Sequence, residues 1–228
     1  MIPYPECLRT QPLARLAAVD GPPARLDLSD GSADLRGVDA ADQRVLAEVV
    51  QRLLRRTGRS WAIGGYGEVR RRILRPFPQM SATDRCVHLG VDIALPEGTV
   101  LHAVLPGTVL LAEHEDGAGN YGGLLVCRHA WPGMHPFLSL WGHLAPASLP
   151  PPGTALRAGD PVGAIGDLTE RGGWFPHTHV QVITEAAAGD GWIRKGYATP
   201  ADMPGMPHRC PDPTPLLAAG LAGADGPS

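Results

Sequence analysis

A mainly β fold, an antiparallel sheet sandwich with an N-terminal helical extension, is the class predicted by this 228-residue sequence. Three observations predict it. From about residue 85 onward, apolar residues recur at every second position, the period of a strand with two unlike faces. With 29 glycines and 24 prolines, tight turns cut the chain into short segments. One stretch alone, residues 40–57, carries an apolar stripe at helical spacing.

Residues 1–38 are irregular and rich in Pro and Gly, with a short strand expected near 26–28. In 40–57, Val45, Leu46, Val49, Val50, Leu53 and Leu54 share one helical face. Asp39 or Asp42 can cap the helix start, and Gly58 can end it. Such a stripe predicts a packing face. Arg70-Arg71-Arg72, with Arg75, is a short cationic cluster broken by apolar residues. It reads as a solvated face or turn, with anion contact as the alternative. Val87, Leu89, Val91 and Ile93 then alternate with His88, Gly90, Asp92 and Ala94. Further strands are expected at 100–104, 108–112, 124–128, 138–141, 161–165 and 179–183, separated by Gly or Pro turns. Short strands in close succession, with no helix between them, predict antiparallel pairing. Residues 184–209 read as a loop-rich insertion and 212–217 as a closing element. The expected organisation is an extension over 1–61, a β domain over 62–217 and a disordered tail over 218–228.

The net charge of −3 is spread over mixed signs, and no basic stripe points to nucleic acid. There is no run of about twenty apolar residues, and no cationic start followed by an apolar stretch. The expectation is therefore a cytoplasmic protein with no nucleic-acid or membrane partner. Cys7, Cys86, Cys127 and Cys210 are too widely spaced for a Cys-x-x-Cys motif and are expected as free thiols.

Chemistry concentrates in three histidine-bearing segments. On a strand, His88 and Asp92 would share a face, with Gly90 between them leaving space above the strand. A metal is a candidate for that space; a glycine bulge beside a surface histidine would give the same pattern. His177 and His179 also share a face, with Thr178 pointing away. Both can bind one zinc, or one can bind while its neighbour acts on substrate. His143 follows Trp141 and Gly142 at a strand end. Zinc held by two His and one carboxylate keeps a position open for water and lowers that water's pKa to about 7. A neutral histidine nearby can take the water's proton and pass it to a leaving amine, and a second can stabilise the oxyanion. His102 and His129 are the candidates to support the site from outside, and Cys86, two residues before His88, is a minor alternative ligand.

His88-Leu89-Gly90-Val91-Asp92, Pro96-Glu97-Gly98-Thr99-Val100 and Ala103-Val104-Leu105-Pro106-Gly107-Thr108-Val109 resemble the opening of the lysostaphin/LytM-type zinc metallopeptidases. Asn120-Tyr121-Gly122, Trp141-Gly142-His143-Leu144, Gly159-Asp160-Pro161-Val162-Gly163, Gly166 and His177-Thr178-His179 follow in that family's order, over about residues 85–184. The resemblance implies a duplicated-hybrid-motif β fold with a groove. It implies that His88, Asp92 and His179 ligate zinc, and that His143 and His177 form the unligated catalytic pair. Family members commonly cleave peptide cross-links in bacterial cell walls. Thr178 and Val180 stand where the family usually has Leu and an aromatic residue, and the export signal common in wall hydrolases is not seen.

Gly64-Gly65-Tyr66-Gly67-Glu68-Val69-Arg70, Gly172-Gly173-Trp174-Phe175-Pro176 and Cys210-Pro211-Asp212-Pro213 are similar to one branch of that family. This branch is fused to small-molecule kinase and pyridoxal-phosphate aminotransferase-type domains. The likeness extends over about 62–217 and implies functional association with such an enzyme. The function expected is a zinc-dependent hydrolase attacking an amide or peptide carbonyl. The alternatives are an intracellular zinc hydrolase or lyase acting on a small amino-acid or amine metabolite in a biosynthetic pathway, and a non-catalytic binding module.

Overall fold

The computed structural model describes residues 1–11 and 13–221. Among them, the alternating segments form twelve strands: β1 (Ala24–Leu26), β2 (Ala62–Gly64), β3 (Val87–His88), β4 (Val91–Ala94), β5 (Val100–His102), β6 (Gly107–Glu115), β7 (Gly122–His129), β8 (Phe137–Leu144), β9 (Ala155–Leu156), β10 (Pro161–Ala164), β11 (Thr178–Thr184) and β12 (Tyr197–Ala198). Eight of them make one sheet in the order β1-β2-β4-β11-β8-β7-β6-β9, and β10-β5 and β12-β3 form two separate pairs. Every pairing is antiparallel except β1 with β2. The mainly β, antiparallel-dominated class is the one expected.

Strand alternation divides the sheet into two working faces. Val91 and Ile93 of β4, Trp141 of β8, and Val180 and Val182 of β11 enter one apolar core with Leu101 and Val162 of the small β5–β10 pair. Asp92, His179 and Gln181 therefore point the other way. The register sets His179 opposite Asp92 on one side and Gly142 on the other, so three central strands deliver the site.

The helix expected over 40–57 is α1 (Gln43–Thr57). Asp42, rather than Asp39, accepts from the Arg44 amide, and Gly58 ends the helix at φ 64°. Leu46, Val49, Val50 and Leu53 bury against Leu26, Ala62 and Ala94, which covers the β1 end of the sheet. Two short helices not foreseen from the sequence, α2 (Arg71–Leu74) and α3 (Pro78–Ser81), follow β2. The 184–209 insertion holds α4 (Glu185–Gly189) and β12, whose Tyr197 pairs with His88 of β3. The last helix, α5, runs from Thr214 to Leu221. The tail expected from 218 falls, beyond residue 221, outside the described residues. All four cysteines are free, as expected, and all four are buried.

His129 and His102 do not support the site. His129 pairs with Phe137 at the start of β8, six residues and roughly 20 Å along the strand from His143. Its Nδ1 donates to the Pro106 carbonyl (2.7 Å), and its Nε2 accepts from the Ser139 hydroxyl (2.8 Å). His102 hydrogen-bonds the Gly159 carbonyl on the small pair. Burial lowers the His129 pKa from 6.5 to about 4. A folded-state pKa below the unfolded one means that this histidine's contribution is whole above pH 6.5 and is lost as pH falls toward 4. Between those limits the wild type should lose on the order of 3 kcal/mol more unfolding free energy than His129→Gln, measured by urea denaturation at matched pH.

Candidate metal centre

His88 and Asp92 were expected on one continuous strand, with a metal in the space above Gly90. Instead the chain breaks at Leu89-Gly90 into β3 and β4, and an imidazole uses that space. A Cβ on Gly90 would lie 2.5 Å from His179 Nε2 and 2.8 Å from the Val180 carbonyl oxygen. Glycine is required because another strand's ring packs against its backbone.

The break brings three donor atoms together. His88 Nε2 lies 2.9 Å from His179 Nδ1, and each lies 3.2 Å from Asp92 Oδ1. All three residues are buried. The outward nitrogen of each ring has a fixed acceptor. His88 Nδ1 donates to the Gly65 carbonyl at 3.0 Å, and His179 Nε2 to Gln181 Oε1 at 3.2 Å. The Gln181 amide nitrogen is turned to the Lys195 carbonyl and Cys210 Sγ, which sets its oxygen toward the ring. These partners assign the tautomers, so both inward nitrogens present lone pairs. Three acceptors facing one another need a cation between them. Burial, then the Arg70 charge, lowers the His88 pKa to about 4, so His88 itself is neutral at pH 7. Zinc fits: with ligands at about 2.0–2.1 Å, a tetrahedral site has edges of about 3.3 Å. Cys86 is buried in the helix-side apolar cluster, outside this donor group.

His143 and His177 complete the wall. His177 Nε2 is 3.6 Å from Asp92 Oδ1, and the His143 and His177 ring centroids are 4.4 Å apart. Both rings donate outward from Nδ1, His177 to the Phe175 carbonyl (2.8 Å) and His143 to the Arg171 carbonyl (3.1 Å). Strict alternation would turn His143 toward the core with Trp141. A register shift between β7 and β8, together with φ 67° at His143, re-aims it into the site. Left-handed backbone at a non-glycine costs on the order of 1–3 kcal/mol and is held here by the His143 amide donating to the Tyr121 carbonyl at 2.7 Å. Thr178 donates to the Gly142 carbonyl at 3.0 Å, tying β11 to the same bulge. Burial, then the neighbouring imidazoles, holds the His143 pKa well below the usual value, and burial lowers that of His177 to about 4.

Arg70 corrects the reading of the arginine cluster. Arg71 and Arg75 make exposed pairs with Asp84 and Asp39, as a solvated face should. Arg70 is 2% exposed, and its Nη1 donates to Asp92 Oδ2 at 2.5 Å. Its Nε donates to Glu68 Oε2 at 2.9 Å, while Nη2, 2.8 Å from that oxygen, is poorly aligned for a second bond. Asp92 thus spends one oxygen on Arg70 and turns the other to the imidazoles. Burial would raise its pKa; the Arg70 guanidinium paired with Oδ2 works against burial, and the carboxyl is held well below the usual carboxylate range. Arg70, Gln181 and Arg171 were all missed from the sequence. The one available signal was Glu68-x-Arg70, opposite charges two apart, which on an extended segment share a face.

Residues 86–190 match the model of peptidase family M23. Solved structures similar to the chain include a zinc-containing peptidase from Vibrio cholerae, 26% identical over 45% of this chain and 29% of that one, with a TM-score of 0.35. The catalytic domain of lysostaphin from Staphylococcus simulans is 20% identical over 58% of this chain and 80% of its own, at 0.37. The catalytic domain of the prophage-encoded M23 protein EnpA from Enterococcus faecalis is 23% identical over 50% and 77%, at 0.37. The chain thus spans under a third of the Vibrio cholerae peptidase. No match was found among curated proteins. Among the described residues, no helix is long and apolar enough to cross a membrane.

Two substitutions test the geometry of this centre. Arg70→Met should weaken zinc binding by about 10–100-fold, with Arg70→Lys closer to wild type, in competition with a chelating dye. Gly90→Ala should displace the His179 ring and abolish stoichiometric zinc in metal analysis, while the far-ultraviolet circular dichroism stays that of a folded β protein.

Proposed function

We propose that this chain is a zinc-dependent hydrolase of the metallopeptidase type, in which water attacks an amide or peptide carbonyl. The observation that carries this reading is the set of three inward-facing acceptors, His88 Nε2, His179 Nδ1 and Asp92 Oδ1, within 2.9–3.2 Å of one another. The M23 match over residues 86–190 supports it. In this reading His88, Asp92 and His179 hold the zinc, and His143 and His177 work beside it. A zinc ion there would act as a Lewis acid on a carbonyl and bring the pKa of a water molecule to about 7.

The protein's own part follows from hydrogen bonding. His143 and His177 are neutral at pH 7, with Nδ1–H committed to backbone carbonyls and Nε2 unprotonated. Either can accept the attacking water's proton at Nε2. The imidazolium that results carries a new Nε2–H, which can donate to the leaving amine. Neither ring is an oxyanion donor at rest, because the inner nitrogen of each is a lone pair; stabilising an oxyanion requires prior proton uptake. The Arg171 side chain, donating to the Trp174 and Gly166 carbonyls (2.6 and 2.8 Å), fixes the loop that orients His143. Pairing with Arg70 commits Asp92 to a single inward oxygen.

Separating ligands from proton carriers tests this reading. His88→Ala should lose both zinc and amide hydrolysis. His177→Ala should keep stoichiometric zinc while hydrolysis falls by about 10²–10⁴-fold. Retention of full activity by His177→Ala, or of stoichiometric zinc by His88→Ala, would contradict it.

A further inference from the structure

The five site residues are at most 5% exposed. Attack on a polymer needs an open trough, so the covering segments decide what can enter. One cover comes from the N-terminal side. Phe77 of the α2–α3 corner packs on Trp174 with ring centroids 4.8 Å apart. Gln79 Nε2 donates to the Ala118 carbonyl at 2.8 Å, in the loop that joins β6 to β7. That loop passes so close that a Cβ on Gly119 would lie 2.5 Å from the Phe77 ring and 2.9 Å from Gln79 Nε2. Residues 77–80 therefore form a strap from the segment between β2 and β3 to the β6–β7 loop, with Met80 and Gln79 lining the cavity beneath. A second tie is made from the insertion, where Arg194 pairs with Glu113 and Glu115 of β6 and lines the same cavity.

The space that water can occupy between these ties is about 80 Å³. A sphere of that volume is roughly 5 Å across, or about 8 Å from wall to wall once a water radius of about 1.4 Å is added on each side. An extended peptide advances about 3.3–3.6 Å per residue, so a dipeptide takes about 7 Å and a five-residue cross-link about 17 Å. The first fits inside. The second cannot be contained there, and the strap and the arginine clamp both border the space it would need.

We infer that the chamber admits amides of about dipeptide size and excludes extended peptide strands. This inference rests on the proposed zinc hydrolase and narrows its substrate to a small amino-acid-like amide. Phe77 and Gln79 determine specificity by closure; they have no part in the chemistry.

Titration calorimetry of the zinc-loaded full chain with two zinc-directed probes tests it. Glycine hydroxamate is the short probe and tetraglycine hydroxamate the long one. In an open trough the longer probe gains contacts and binds more tightly. In the strapped chamber it should bind at least tenfold more weakly than the short one. The Phe77→Ala/Gln79→Ala double variant should recover affinity for the long probe and reduce the gap to under threefold. Gln79→Ala alone, which keeps the Phe77–Trp174 contact, should reduce it partially. Equal or tighter binding of the long probe by the wild type would overturn the size limit and leave the zinc hydrolase standing. A chain that holds no stoichiometric zinc would overturn both.

Discussion

A carboxylate oxygen and two imidazole nitrogens, all lone-pair donors, face each other across 2.9–3.2 Å inside the protein. Left to themselves they would repel, and burial would make that repulsion expensive. Everything around them opposes relaxation. The Gly65 carbonyl and the Gln181 amide oxygen hold the outer ring nitrogens, and Arg70 holds the outer carboxylate oxygen. The protein thus spends backbone carbonyls, a buried guanidinium and a buried amide on keeping three acceptors converged. That expenditure is intelligible if a divalent cation occupies their centre.

The fold serves this convergence directly. β4, β11 and β8 lie side by side with their other face packed in the core, so none can rotate without exposing Val91, Val180 or Trp141. β12, from the insertion, pins the short strand that carries His88. Support comes from two further segments. α1, in the extension, covers the β1 end of the sheet. The stretch between β2 and β3 contributes Arg70, so a segment that looks like a solvated turn in the sequence reaches the ligand set.

Much of this was legible beforehand, for reasons of periodicity. Alternation of two exposed the strands and the shared face of His177 and His179. The helical stripe with Asp42 and Gly58 marked α1. What escaped were features that periodicity cannot carry. Gly90 announced empty space, yet only the packing of β11 shows that the His179 ring occupies it. His143 breaks alternation through a bulge and a left-handed backbone, neither of which leaves a mark in Trp141-Gly142-His143-Leu144. Arg70 sits beside the exposed Arg71, of identical chemistry; what distinguishes it is Asp92, twenty-two residues away. His129 misled because strand membership says nothing of which end of the strand meets the site. Closure by Phe77 and Gln79 depends on a loop forty residues further on.

The central claim concerns what surrounds the cation, and X-ray absorption at the zinc edge of the zinc-loaded protein addresses it most directly. Two imidazole shells and one or two oxygen scatterers, all at about 2.0–2.2 Å, are expected. A sulfur shell at about 2.3 Å, or a spectrum lacking imidazole multiple scattering, would place the ion elsewhere and contradict the account.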